Sequence, residues 1–258
     1  MERKILLQVK DLNVQIGEQE ILSSINLTAN KGRILGIIGE SGSGKSMLCQ
    51  AIMQSIPAEA KSTGQILYQD IDLTSVTKER LRDYRGRHMS MITQNPLAAF
   101  DSIQTIEMHF RETLKAHYVL HKKEIRQIAI SSMNKVNLPN PEKLLQYYPF
   151  QLSGGMLQRV MIALSFAMQP KLYIADEPTT ALDTVNQKKI LSLFNQIRND
   201  TDAAIIIVTH DLGVIAELAD EVAVMYKGEL IEQANVFDFF DAPQHWYTKK
   251  LLQSRIDF

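Results

Sequence analysis

The sequence predicts an α/β fold, a mainly parallel sheet with a small antiparallel flank and a helical subdomain, and three observations predict it. Apolar runs of strand length at residues 34–38, 172–175 and 204–208 have the texture of strands covered on both faces. Segments with helical spacing lie between them, the alternation that gives parallel strands joined by crossover helices. A stretch from 105 to 135 holds no Gly or Pro and carries apolar residues at helical spacing, so it interrupts the alternation with helix alone.

In order along the chain, residues 6–16 and 21–28 alternate as strands about a Gly17-Glu18 turn and predict an antiparallel hairpin, with Ile21, Ser23, Ile25 and Leu27 on one face. After Asn30-Lys31-Gly32 the buried run 34–38 ends in a glycine-rich turn, 39–44, and a helix follows from about 45 to 54. A strand at 65–68, a charged helix at 78–85 and a strand at 89–93 lead to Gln94-Asn95-Pro96. The helical insertion then presents Ile125, Ile128, Ala129, Met133 and Val136 on one face. A second helical block, 153–168, passes through Pro170 into the strand 172–175. The helix 187–198 aligns Ile190, Leu191, Phe194 and Ile197, and the strand 204–208, a short helix and the strand 222–226 follow.

The 258 residues suffice for one large domain or a domain with a subdomain, and 45% hydrophobic with 22% charged residues is a globular composition. Lys plus Arg number 28 against 29 for Asp plus Glu, so no general basic field exists to hold a nucleic-acid backbone or an anionic membrane. Any polyanion bound here needs a local site, and no nucleic-acid partner is expected. No apolar stretch approaches the roughly 20 residues of a membrane helix, and the N-terminus lacks a signal peptide's apolar run. A soluble, cytosolic chain is expected. The single cysteine, Cys49, excludes an internal disulfide and reads as a small buried filler.

The local anion site is Gly39-Glu40-Ser41-Gly42-Ser43-Gly44-Lys45-Ser46, which matches G-x-x-x-x-G-K-[ST] between a buried strand and a helix. Such a turn points backbone N–H groups inward and adds the positive end of the following helix, a cradle for a di- or triphosphate. Lys45 would reach the β- and γ-phosphates and Ser46 would ligate Mg²⁺, making ATP and Mg²⁺ the expected ligands. A second buried strand ends in Asp176-Glu177, where Asp176 can serve the phosphate-bound Mg²⁺ and Glu177 can polarise the attacking water.

Leu152-Ser153-Gly154-Gly155-Met156-Leu157-Gln158-Arg159 resembles the signature motif of ATP-binding cassette (ABC) ATPases, and other motifs of that family fall in order around it. Gln94 resembles the Q-loop glutamine, Ala181-Leu182-Asp183 the D-loop, and Thr209-His210-Asp211 the switch histidine motif. The resemblance implies a P-loop NTPase (RecA-like) core with an antiparallel β flank and a helical ABC subdomain. It divides the chain into an ATP-binding core with its P-loop (1–94), a helical subdomain with the signature (95–168), and the rest of the core with a C-terminal tail (169–258). It also implies a head-to-tail pair of ATPases, in which Ser153, Gly154, Gly155 and Met156 of one complete the ATP site of the other. By the same resemblance Glu177 is the base, His210 contacts the γ-phosphate, and Gln94 couples Mg²⁺ and the attacking water to a membrane partner. Taken singly, Gln94 could cap a turn before Pro96, and His210 could be a hydrogen-bonded structural histidine.

Residues 148–159 and 176–183, with a tail running from Val224 through Pro243-Gln244-His245-Trp246-Tyr247-Thr248, resemble the oligopeptide and nickel importers. Gln94-Asn95-Pro96, Ala99-Phe100, Arg111-Glu112-Thr113 and the early end of the chain resemble the nickel-import type in particular. The resemblance implies ATP hydrolysis driving import of nickel or a metal–chelator complex, or alternatively of di- or oligopeptides. The implied partners are two membrane permeases, an extracytoplasmic solute-binding protein, and a paralogous second ATPase or a second copy of this chain, with this chain itself peripheral at the cytoplasmic face of the membrane. A soluble ATPase of DNA repair or translation is the other function class; the neutral charge and the lack of a long coiled-coil insertion speak against it. Two departures stand out: Ile16 occupies the region where many members carry an adenine-stacking aromatic, and Trp246 replaces a common proline. His117 and His121 fall at i, i+4 with His109 two turns earlier, and a solvated helix face is expected there rather than a metal site.

Overall fold

Alternate residues of the central strands enter two different cores, which is why these strands read as unbroken apolar runs. The computed structural model describes residues 4–256. Along the chain, β1 (Ile5–Ile16), β2 (Gln19–Asn30) and β3 (Ile34–Ile38) precede α1 (Lys45–Ile52), and β4 (Ala60–Tyr68), β5 (Ile71–Asp72), α2 (Lys78–Arg87) and β6 (Met89–Ile92) follow. The helical region holds α3 (Ile106–Lys115), α4 (Lys122–Lys135), a one-turn α5 (Pro141–Leu144) and α6 (Gly154–Met168). Then come β7 (Leu172–Asp176), α7 (Thr184–Thr201), β8 (Ala204–Val208), α8 (Leu212–Leu218), β9 (Glu221–Tyr226), β10 (Glu229–Asn235), α9 (Val236–Asp241) and α10 (Trp246–Ile256).

Two sheets result. The antiparallel one has the order β2-β1-β4-β5; the larger has the order β10-β9-β3-β8-β7-β6, parallel except for β10 at its edge. Leu35 and Ile37 of β3, Leu172 and Ile174 of β7, and Ile206 and Val208 of β8 enter a core shared with β1, β2 and α1. Ile34, Tyr173, Ile205 and Ile207 face the opposite way, into a core filled by Phe110, Met133, Val160 and Phe166 of the helical region. Each such side chain, fully buried, is worth about 1.5–3 kcal/mol. A third cluster joins Ile38, Val222 and Val224 to Phe239, Tyr247 and Leu252 of the C-terminal helices.

The hairpin and its Gly17-Glu18 turn form as the sequence predicts, but the antiparallel flank is larger, because β4 runs back to Ala60 and pairs with β1 along both their lengths. The insertion 105–135 is two helices rather than one. Thr105 caps α3 by accepting the Met108 N–H, and a second start signal at His121 is closed by the Glu124 carboxylate, which accepts the His121 N–H. Capping, not Gly or Pro, breaks the helix there. The helix expected at 78–85 keeps its length, since Arg85 and Gly86 leave helical geometry. β10, α9 and α10 lie beyond the elements named from the sequence.

Because β3, β6, β7 and β8 run parallel, their carboxyl ends meet along one edge, and the loops 39–44, 93–94, 177–180 and 209–211 gather there. Ligands of open parallel sheets bind in such a crevice. Among the described residues no helix is long and apolar enough to cross a membrane.

Candidate nucleotide-binding and catalytic site

The turn after β3 is packed tightly from below. A Cβ on Gly39 would lie 2.2 Å from the Met225 carbonyl oxygen, and one on Gly44, at φ +100°, would lie 2.7 Å from Leu22. The Gly228 N–H donates to the Ser43 carbonyl at 3.1 Å, tying the turn to the β9–β10 connection. α1 starts at Lys45 with no side chain capping it, so its first N–H groups remain for an anion. Lys45 is buried, and its ammonium donates to the carbonyls of Gly39 at 2.9 Å and Glu40 at 2.8 Å. Burial lowers its pKa, while Glu177 and Asp176 pull the other way. The loop therefore holds a desolvated cation in reach of the cradle, and phosphate oxygens are a better acceptor for it than carbonyls.

β7 delivers the two acids. Asp176 is 4% exposed; the Ser46 hydroxyl bonds its carboxylate, yet Oδ1 is buried without a hydrogen-bond partner among the described residues. Burial, with the Glu177 charge adding, raises the Asp176 pKa. Glu177 sits at φ +48°, a left-handed backbone that a glutamate adopts only under outside constraint, and its N–H donates to the Val208 carbonyl at 2.9 Å. That kink turns the side chain into the crevice. There Oε2 accepts from the Thr180 hydroxyl at 2.9 Å and from Gln94 Nε2 at 3.3 Å, while His210 Nδ1 lies 3.2 Å from Oε1. Three loops thus converge on one carboxylate.

A cavity of about 320 Å³ brings together Gly39, Ser41, Gly42, Gly44, Lys45, Ser46, Gln94, Glu177 and His210. Glu40 lines an adjoining cavity of about 310 Å³ instead, and Ser43 is buried beneath the loop. Ile21 and Met47, not Ile16, supply the apolar wall of the larger cavity. Gln94 is not the cap before Pro96; Asn95 is, accepting the Leu97 N–H at 3.1 Å.

The signature residues stand apart. Ser153 caps α6 by accepting the Met156 N–H at 3.3 Å, and Ser153 and Gly154 face solvent. A Cβ on Gly155 would lie 2.9 Å from the Ala181 carbonyl, so the signature rests against the 181–183 loop. Asp183 caps α7, accepting the N–H groups of Val185 and Asn186 at 3.1 and 3.0 Å. None of Ser153, Gly154, Gly155, Met156 and Asp183 lines the cavity.

Two participants escaped the sequence reading. Thr180 was legible as a hydroxyl three residues after Glu177; Tyr247, whose hydroxyl accepts the Glu40 N–H at 3.2 Å, has no local signal because 207 residues separate the pair. The histidines correct an expectation: His117 lies beyond the end of α3 and packs on Gly86, His121 precedes α4, and His109 is buried on α3, bonded to the Asp101 carbonyl at 3.1 Å. They share neither a helix nor a solvated face, because the helix breaks between them. No group of three or more metal-ligating side chains occurs among the described residues.

Residues 22–180 match the ABC transporter family. The chain is 43% identical to the metal-staphylopine import system ATP-binding protein CntD of Staphylococcus aureus, over 97% of this chain and 93% of that one. It is 42% identical to the oligopeptide transport ATP-binding protein OppD of Lactococcus lactis subsp. cremoris, over 98% of this chain and 77% of that one. Among solved structures, a bacterial ABC transporter cassette determined as a dimer superimposes with a TM-score of 0.80 at 25% identity, covering 89% of this chain and 98% of that one. The phosphate cradle, the acids at the end of β7 and these likenesses together identify the chain as an ATP-binding, ATP-hydrolysing member of the ABC transporter family.

Proposed function

We propose that this chain is the energy-coupling ATPase of an ABC importer whose cargo is a metal–chelator complex or nickel, working at the cytoplasmic face of the membrane. The observation that carries this reading is the 43% identity to a metal-staphylopine import ATPase over nearly the full length of both chains. Oligopeptides are the second reading, favoured by the 42% identity to an oligopeptide transport ATPase. Uptake of radiolabelled nickel, with and without a metallophore, and growth on a peptide as sole amino-acid source, in a strain deleted for the gene, distinguish them. Lost peptide uptake with normal metal uptake rejects the metal reading.

In the proposed chemistry Glu177 takes the proton from the attacking water, and Gln94, Thr180 and His210 hold its carboxylate in line. His210 and Lys45 both line the cavity and would stabilise charge that develops on the γ-phosphate. The partnerless Asp176 Oδ1 beside the Ser46 hydroxyl is an oxygen donor pair of the kind Mg²⁺ takes, with the Gln94 amide oxygen as a third donor. Bound there, the ion would neutralise phosphate charge and orient the substrate. The exposed N-terminus of α6, which does not line the chain's own cavity, suits a head-to-tail partner whose γ-phosphate it would receive. That partner is a paralogous ATPase or a second copy, and two permeases with an extracytoplasmic solute-binding protein complete the proposed assembly.

A further inference from the structure

The tail motif 243–248 plays no part in the chemistry above, yet it is built into the phosphate loop. The N–H groups of Gln244 and His245 and the Thr248 hydroxyl all donate to the carboxylate of Glu232 on β10, which anchors the start of α10. So anchored, Tyr247 is 1% exposed, its ring lies 4.3 Å from that of Tyr226, and its hydroxyl accepts the Glu40 N–H. The peptide group joining Gly39 to Glu40 then has both ends engaged. Its N–H is held by Tyr247, and its carbonyl, which is that of Gly39, accepts from Lys45 at 2.9 Å. N–H and C=O point in opposite directions across a trans peptide, so a hydroxyl holding one end fixes where the other points. Each bond also polarises the peptide in favour of the other. Leu251, one turn further along α10, lines the cavity shared by Gly39, Glu40 and His210.

We propose that Tyr247 is a positioning residue for nucleotide binding: through the Gly39-Glu40 peptide it orients the loop and the Lys45 ammonium that meet the phosphates, and so links the docking of α10 to nucleotide affinity. The inference rests on the assignment of the loop as the phosphate site. Linkage makes the effect reciprocal, so nucleotide strengthens the docking of α10 by the same factor.

The test is the Kd of the full chain for the non-hydrolysable analogue AMP-PNP, read by displacement of a fluorescent nucleotide. Tyr247→Phe removes one hydroxyl and keeps the ring stack, and its affinity should fall about five- to tenfold with little change in melting temperature. Thr248→Val, which loosens the same helix from Glu232 without touching the loop, should lower the melting temperature and change the Kd less. Equal AMP-PNP affinity in wild type and Tyr247→Phe overturns the proposal, as does a larger loss in Thr248→Val. Absence of binding by the wild type would instead unseat the phosphate-site assignment. Should Tyr247→Phe fail to fold, amide exchange in the unaltered chain decides: the Glu40 N–H should be protected, and rapid exchange refutes the bond.

Discussion

His210 Nδ1 lies 3.2 Å from Glu177 Oε1, so the histidine that ends one strand loop is braced on the carboxylate that ends another. The two come from β8 and β7, which are hydrogen-bonded neighbours in register from Leu172 with Ala204 to Asp176 with Val208. Adjacent parallel strands ending level with each other are what make the pair possible.

If Glu177 is the base, Glu177→Gln keeps the shape and the contacts of the side chain but cannot accept a proton. Phosphate release should fall by at least about 10²-fold while AMP-PNP binding persists. Near-normal release would dismiss Glu177 from that role.

His210→Ala removes the contact to Oε1 and a polar group facing the cavity, and leaves Thr180 and Gln94 on Oε2. The expected result is a fall in kcat of roughly 10- to 100-fold with KM for ATP changed much less. A rise in KM alone would show that His210 serves binding only.

Asp176 is a buried carboxylate whose pKa is raised, first by desolvation and further by Glu177. A raised acid pKa means the native chain holds its proton more tightly than the unfolded one, so the charge destabilises the fold above that pKa and not below the unfolded value. Asp176→Asn should therefore raise the melting temperature of the nucleotide-free chain at pH 7.5 by roughly 2–4 °C while abolishing Mg²⁺-dependent hydrolysis. Calorimetry at pH 7.5 and at pH 4 checks both signs, since the gain should shrink in acid.

Gly154 and Gly155 separate a role within the chain from one across an interface. A Cβ on Gly154 meets nothing within 4 Å, whereas one on Gly155 meets the Ala181 carbonyl. Gly154→Ala should leave folding and AMP-PNP binding intact and still lower ATP-dependent dimerisation and turnover by about tenfold, read by light scattering and phosphate release. Full activity of Gly154→Ala would count against the head-to-tail arrangement.

Among the described residues the apolar wall of the cavity is Ile21 and Met47, and no aromatic ring lines it. A stacked ring contributes roughly 0.5–1.5 kcal/mol, so GTP should compete for the site within about tenfold of ATP. A much stronger preference in competition binding would point to another base-recognition group.

The order of elements and most of the candidate catalytic set can be read from residues 34–46, 172–183 and 204–210, because each motif there is local: a strand, a turn and a cap contiguous in the chain. The helical region was harder. No Gly or Pro marks the break at 116–121, and only the capping at His121 and Glu124 shows where α4 starts. The shared helix face expected for His117 and His121 fails for the same reason, since a spacing of four residues has geometric meaning only inside one helix.

The sequence motifs alone supply the candidate phosphate cradle and acid pair, which need nothing beyond short-range backbone chemistry and the period of buried strands, while the family comes from the resemblance of its ordered motifs. Convergence of Gln94, Thr180 and His210 on one glutamate, the exposure of the signature outside its own cavity's lining, and the bond from Tyr247 to Glu40 belong to the folded chain. They depend on which strands are neighbours and where their ends align, and these long-range pairings leave no periodic trace in the residues that make them.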